Sequence, residues 1–221
     1  MIGIFDSGVG GICAYKEVRR RLKREDIIYL ADRENAPYGT KSQDELVALT
    51  SRDITRLRNL GARKILIACC TASSVHSLLE PELRDISLPI IKPSARVASA
   101  FSRVAVIATE HTVRSGAFGK AIAKYSDSLC FEFAHQELVA LVESGERGAS
   151  LRNSLMRIRE EIQSTLADAL ILGCTHFSHL EGELRELLPT THIISPAREG
   201  AVALTESLEY ELPEGGRIIY T

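Results

Sequence analysis

The sequence predicts an α/β fold of two similar halves, each a mainly parallel sheet flanked by helices, with the active site in the cleft between them. Three observations predict it. Short apolar runs rich in Ile and Val alternate with longer stretches of helical spacing. The runs are apolar at nearly every position, as strands covered on both faces are. Two of them, far apart in the chain, end in the same pattern of small residue, Cys and nearby Thr.

Strands are predicted over residues 2–5, 27–30, 64–68, 89–91, 104–108, 169–172 and 192–194. Helical periodicity covers residues 12–22, 42–60 and 151–166. The resembling strand ends are Lys64-Ile65-Leu66-Ile67-Ala68-Cys69-Cys70-Thr71 and Asp168-Ala169-Leu170-Ile171-Leu172-Gly173-Cys174-Thr175. In open α/β sheets ligands bind beyond the carboxyl ends of strands, so both cysteines are placed where a ligand sits. One Cys in each half suggests two domains with a boundary near Lys92 to Ala95. The expected division is residues 1–92, joined by the C-terminal segment 198–221, and residues 93–197.

Composition excludes several function classes. The 221 residues are 45% hydrophobic and 25% charged with a formal net charge of -2, an ordinary globular balance that disfavours nucleic acid as a partner. The basic stretch Arg19-Arg20-Arg21-Leu22-Lys23-Arg24 is flanked by Glu17, Glu25 and Asp26 and lacks interleaved aromatics. It reads as a solvated helix face near its C-terminus. No apolar run approaches the roughly 18 residues of a membrane span, and no charged leader opens the chain. Five cysteines, an odd number, fit a reducing compartment, and a cytoplasmic protein is expected.

Asp6-Ser7-Gly8-Val9-Gly10-Gly11 follows the first strand and precedes a helix, so its backbone N–H groups are expected to face an anion. It lacks the closing Lys of a P-loop and the glycine spacing of a dinucleotide fingerprint. A small carboxylate suits it better than a nucleotide, and a tight turn capped by Asp6 is the alternative. Asn35-Ala36-Pro37-Tyr38-Gly39-Thr40-Lys41-Ser42 is dense in turn formers and offers backbone N–H groups and a tyrosine hydroxyl to a ligand.

Two thiols on opposite faces of a substrate carbon can exchange its proton with inversion: one as thiolate removes it, the other as thiol returns it. A free thiol titrates near about 8.5, and a helix N-terminus or cation pulls it toward neutrality. Cys69 and Cys174 are each expected at a strand-to-helix turn; Cys13 and Cys130 read as packing residues. Metal is disfavoured, because Cys69, Cys70, His76, Cys174, His176 and His179 form no recognised zinc spacing. A redox disulfide is disfavoured by the lack of a C-x-x-C pair. His176, two residues beyond Cys174, with Glu143 as its carboxylate, and Asp6 on the other side would handle protons for the two thiols, although a solvated helix-end carboxylate is the simpler reading of Glu143.

These residues resemble glutamate racemase over almost the whole chain. Gly3-Ile4-Phe5-Asp6-Ser7-Gly8-Val9-Gly10-Gly11 is similar to the family's opening motif, and Pro37-Tyr38-Gly39-Thr40-Lys41-Ser42 to its second. Ala68-Cys69-Cys70-Thr71-Ala72-Ser73 and Leu172-Gly173-Cys174-Thr175-His176-Phe177 resemble its two catalytic motifs. Thr112-Val113-Arg114-Ser115-Gly116 and Leu141-Val142-Glu143-Ser144-Gly145 are weaker matches in the right order.

The resemblance implies glutamate held between two α/β domains, with no pyridoxal phosphate, metal or nucleotide, and D-glutamate delivered to bacterial peptidoglycan synthesis. It carries the acid–base pair onto Cys69 and Cys174, with Asp6 assisting the first and His176 and Glu143 the second. Substrate contacts fall on Asp6, Ser7, Tyr38, Gly39, Thr71, Thr175 and His176, together with the position of Cys70. The expected partner is this amino acid; a second copy of the chain, as a homodimer, is one candidate beyond it.

Three departures stand out. Cys70 occupies the place of a family Asn, replacing an amide by a weak S–H donor. Phe177-Ser178-His179 lacks the usual proline, and Ala134-His135-Gln136 replaces a Cys-Pro pair. The chain is also shorter than most members. Cys70 keeps open a racemase for aspartate or another amino acid, and a binding protein without turnover. The paired thiols with Asp6 and His176 argue against the latter. A decarboxylase or other isomerase on this scaffold would more naturally keep one cysteine.

Overall fold

The computed structural model describes residues 1–208 and the main chain of residues 218–220. Nine strands, β1 (Ile2–Asp6), β2 (Ile27–Ala31), β3 (Lys64–Ile67), β4 (Ser87–Pro89), β5 (Arg103–Ala108), β6 (Leu129–Ala134), β7 (Ala169–Gly173), β8 (His192–Ile194) and β9 (Ile218–Tyr220), form two sheets among the described residues. Their orders are β4-β3-β1-β2-β9 and β6-β5-β7-β8. Every pairing is parallel; Ile2 lies against both Ile27 and Lys64, and Val104 against both Cys130 and Ala169.

The pleat divides each strand between two cores, because successive side chains point to opposite faces. Ile2, Ile4, Leu66, Ala68, Val104, Val106, Ala169 and Ile171 share one cluster that runs between the two sheets. Their neighbours Phe5, Ile65 and Ile67 pack outward beneath the helix Gln43–Asn59, and Ala105, Ile107, Leu170 and Leu172 beneath the helix Ala149–Thr165. Buried residues on those helices fall at helical spacing: Leu46, Thr50, Asp53, Ile54 and Leu57 on one, Leu151, Leu155, Ile158 and Ile162 on the other. Ser42 begins the first of them with a capping box: its Oγ accepts from Glu45 N–H at 3.3 Å and Glu45 Oε2 accepts from Ser42 N–H at 2.9 Å.

One strand expectation is corrected. The strand predicted over residues 89–91 is Ser87–Pro89, because Ile90 already has helical dihedrals and Ile91 opens the helix Ile91–Ala98. That helix spans Lys92 to Ala95, where the boundary between the halves is expected, and its Ile91, Ala95 and Ala98 belong to the shared core. Strands β6 and β9 were not anticipated. β6 is half exposed, with Glu132 in its centre, so it lacks the continuous apolar character of its neighbours.

The basic stretch closes its helix, Ile12–Arg21. Arg20 and Arg21 pair with Glu17 at 2.6 and 2.7 Å, and Arg19 donates to the carbonyls of Leu22, Lys23 and Glu25. No helix among the described residues is long and apolar enough to cross a membrane.

Candidate active site

The carboxyl ends of five strands meet at one pocket of about 440 Å³, part of it open to solvent. Ser7 follows β1, Cys69 follows β3, Thr109 follows β5, Gln136 follows β6 and Cys174 follows β7; all five line it. Gly8, Tyr38, Gly39, Cys70, Thr71, Val139, Glu143, Thr175 and His176 also face it. Asp6, wholly buried, stands behind Ser7. The structure therefore gathers the sequence-predicted residues around a single recess between the sheets.

Cys69 caps the short helix Cys70–Ser74, its Sγ accepting from Ala72 N–H at 3.4 Å, and Ser7 Oγ lies 3.3 Å from the same sulfur. Cys174 Sγ lies 3.7 Å from His176 Nδ1, whose ring places Nε2 2.9 Å from Glu143 Oε1. An ionised carboxylate only accepts, so Nε2 carries the proton and, in the neutral ring, Nδ1 turns its lone pair to the thiol. Glu143, expected either as the carboxylate partner of His176 or as a solvated helix-end group, is half exposed and bonded to this histidine.

Asp6 joins the halves rather than serving one thiol by hydrogen bond. Its Oδ1 accepts from Gly8 N–H at 2.9 Å and its Oδ2 from Thr175 Oγ at 3.2 Å. The glycine loop thus turns an N–H group onto the chain's own carboxylate, the capped turn given above as the alternative to an external anion. Tyr29 fixes the loop through its hydroxyl, which donates to Gly8 O at 3.0 Å. Gly10 must lack a side chain: a Cβ there would come within 2.5 Å of Thr175 Oγ and 2.9 Å of His176 Nδ1.

Burial dominates the electrostatics. Desolvation, aided by the Asp6 charge, pushes the Cys69 thiol up to about 11; desolvation, with Cys69 and Asp6 adding to it, lifts Cys174 further. Cys70 is raised well above the ordinary thiol range by burial and by the other two thiols. Burial also raises Asp6, opposed by His176 and by the N–H groups of Gly8 and Gly11. Among the described lining residues there is no Lys or Arg. The expected cation has no counterpart among the described lining residues, and the helix starts act only through backbone N–H groups, Ala72 toward Cys69 and His176 and Phe177 toward Cys174, which burial outweighs.

Tyr38 corrects another expectation. Its hydroxyl donates to Asp32 Oδ2 at 2.6 Å and contacts Asp53 Oδ2 at 3.3 Å, with Arg52 bridging both carboxylates. Burial and those carboxylates raise its pKa, so the hydroxyl is committed to the protein while the ring and the adjacent backbone face the pocket. Sequence reasoning missed Thr109, Thr112, Gln136 and Val139. Thr71 Oγ lies 3.0 Å from Thr109 Oγ and 3.3 Å from Thr112 Oγ, a hydroxyl cluster spanning the halves. The rule that flagged Cys69 and Cys174, one or two residues past a buried strand, also marks Thr109.

Of the residues weighed as metal ligands, Cys69, Cys70, Cys174 and His176 line the pocket, whereas His76 and His179 lie elsewhere. His76 contacts Ser87 Oγ at 3.1 Å and His179 contacts Cys13 Sγ at 3.7 Å, neither of them lining the pocket. Among the described residues no group of three or more His, Cys, Asp or Glu is placed to hold a metal ion. Cys13 and Cys130 pack against the shared core.

Residues 13–204 match the Asp/Glu/hydantoin racemase family. A glutamate racemase of Picosynechococcus is 34% identical over 96% of this chain and 77% of its own length, and one of Desulforudis audaxviator 37% identical over 89% and 74%. Among solved structures, glutamate racemase from Thermus thermophilus in complex with β-chloro-D-alanine superposes with a TM-score of 0.83 at 31% identity, covering 99% of this chain and 86% of that one. The Francisella tularensis glutamate racemase with D-glutamate gives 0.87 at 26%, covering 100% and 87%. By its sequence match, two parallel sheets and paired strand-end thiols, the chain belongs to the Asp/Glu/hydantoin racemase family.

Proposed function

We propose that this protein is a cofactor-independent glutamate racemase that interconverts L- and D-glutamate with Cys69 and Cys174 as opposed acid and base. The observation that carries the reading is the pair of thiols, one from each sheet, lining one pocket with a separate polar partner for each: Ser7 and the Asp6 loop beside Cys69, His176 and Glu143 beside Cys174.

Burial favours neutral thiols, and an amino acid with two carboxylates and one ammonium brings a cation that the described lining lacks. The substrate ammonium, set near Asp6, offsets the negative charge that lifts Cys69 and stabilises a thiolate. One sulfur then takes the α-proton as the C–H bond breaks. The opposite S–H gives its proton to the other face of the carbon, and the pair exchanges roles in the reverse direction. His176 accepts from or returns a proton to Cys174, with Glu143 holding the ring in the required tautomer. Ser7, Gly39, Cys70, Thr71, Thr175 and the backbone beside Tyr38 hold the substrate.

Residues 1–92 with 198–221, and residues 93–197, are proposed as the two domains; the pairing of β9 with β2 supports this. The product would feed peptidoglycan synthesis in the cytoplasm, and assembly as a homodimer belongs to the same reading. Cys70 in the lining favours testing one second substrate, aspartate. Incubation with L-glutamate, and in parallel L-aspartate, in heavy water should show loss of optical rotation with loss of the α-proton signal for glutamate. Exchange confined to aspartate, or none at all, would overturn the assignment.

A further inference from the structure

The pocket has to receive two carboxylates without a lysine or arginine in its described lining, so neutral donors must hold them. Gln136 is the only carboxamide among those residues. Its Oε1 receives the Glu110 N–H at 3.4 Å. A backbone N–H can face only the carbonyl end of the amide, so the –NH2 end points elsewhere, and it has no protein partner among the described residues.

The side chain reaches from the end of β6 across to the opposite half. A Cβ added to Gly39 would lie 2.5 Å from Gln136 Oε1 and 2.9 Å from Thr109 Cβ, so the missing side chain of Gly39 is what admits the amide. No hydrogen bond joins Gln136 or Gly39 to either thiol or to Ser7, Thr175 and His176. On the glutamate reading the reacting carbon and its carboxylate belong beside the thiols, while Gln136, Gly39 and Thr109 line the same pocket without a bond to either sulfur and so suit the far end of the substrate.

Resting on the glutamate reading above, we infer that Gln136 is a specificity-determining residue whose amide –NH2 donates to the side-chain carboxylate of the substrate. Replacing it by Leu keeps bulk and removes the donor. Replacing it by Glu removes the donor and sets a like charge against the carboxylate, while leaving an acceptor for a terminal carboxamide.

The test measures dissociation constants for L-glutamate and L-glutamine by calorimetry, with kcat and KM for glutamate, on the parent, Gln136→Leu and Gln136→Glu. Thermal midpoints serve as a control for folding. Gln136→Leu should raise the glutamate dissociation constant and KM roughly tenfold, the loss of one charge-assisted hydrogen bond, with kcat within about twofold. Gln136→Glu should lower the preference for glutamate over glutamine by about tenfold or more, which a merely structural lesion would not do because it weakens both ligands alike. An active parent whose variants keep both affinities within about twofold, or lose both equally, overturns the inference and leaves the racemase reading intact. A parent that itself binds no glutamate overturns both, and the parent measurement alone identifies that case.

Discussion

At the scale of single residues, the central quantity is the protonation of two buried sulfurs. Burial and the Asp6 charge hold Cys69 near about 11, so the ligand-free protein presents a thiol at neutral pH. Its alkylation by iodoacetamide should climb roughly tenfold per pH unit between pH 7 and 10; a rate already flat at pH 7 would show an activating cation that the pocket does not display. Asp6 carries a stability consequence of definite sign. Its folded pKa is raised by burial above the unfolded value, so as pH rises through the unfolded value the unfolded chain releases its proton first and stability falls until the folded pKa is passed. Asp6→Asn should therefore raise the melting temperature at neutral pH while lowering racemisation; a less stable and fully active variant would contradict both roles. Cys70 lies in the shared core and also lines the pocket, where its S–H is a poor partner for carboxylate or ammonium. Cys70→Asn should lower KM for glutamate, provided the amide leaves Cys69 in place. A raised KM would mean a pocket remodelled around the thiol and a different preferred amino acid.

Whole elements bring these residues together by ending where they do. The helix Glu137–Glu143 sets Val139 and Glu143 on the pocket and follows directly from Gln136, so one segment supplies both the carboxylate for His176 and the amide opposite Gly39. The helix Ala149–Thr165, which covers the outer face of the second sheet, stops at Leu166 in the left-handed region with φ 52°, its side chain exposed to 75%. A side chain resists that conformation and little packing is lost with it, so Leu166→Gly should stabilise the protein by about 0.5 to 1 kcal/mol in urea unfolding; a destabilised variant would mean that Leu166 packs in solution. Strands covered on both faces, such as β3 and β7, were legible because nearly every position reads apolar, and the thiols were legible because they stand one or two residues past such strands. β6 was not, since an edge strand with Glu132 in it and Leu129 half exposed lacks that pattern. Gln136 was hidden for the same reason, because the strand that positions it was unseen. Pairings made through space, such as Tyr38 with Asp32 and Asp53 or Thr175 with Asp6, have no trace in local spacing.

For the whole molecule, one apolar layer lies between the two sheets, with the helices Ile12–Arg21, Ile91–Ala98 and Pro196–Glu206 all contributing to it. Halves that share a core are expected to unfold together, so calorimetry should record one cooperative transition; two separated transitions would show halves that fold independently. The same arrangement fixes the distance between the strand ends that carry Cys69 and Cys174, and on that opposition the account rests. The most direct test follows isotope placement with Cys69→Ser and Cys174→Ser beside the parent, starting from each enantiomer of glutamate in heavy water. Two opposed sulfurs require that parent product gain deuterium while early remaining substrate keeps its proton, and that each serine variant lose racemisation by about 10²- to 10⁴-fold with its melting temperature retained. Deuterium appearing equally in substrate and product from the first turnovers, or near-parent racemisation by either serine variant, would contradict the two-thiol mechanism.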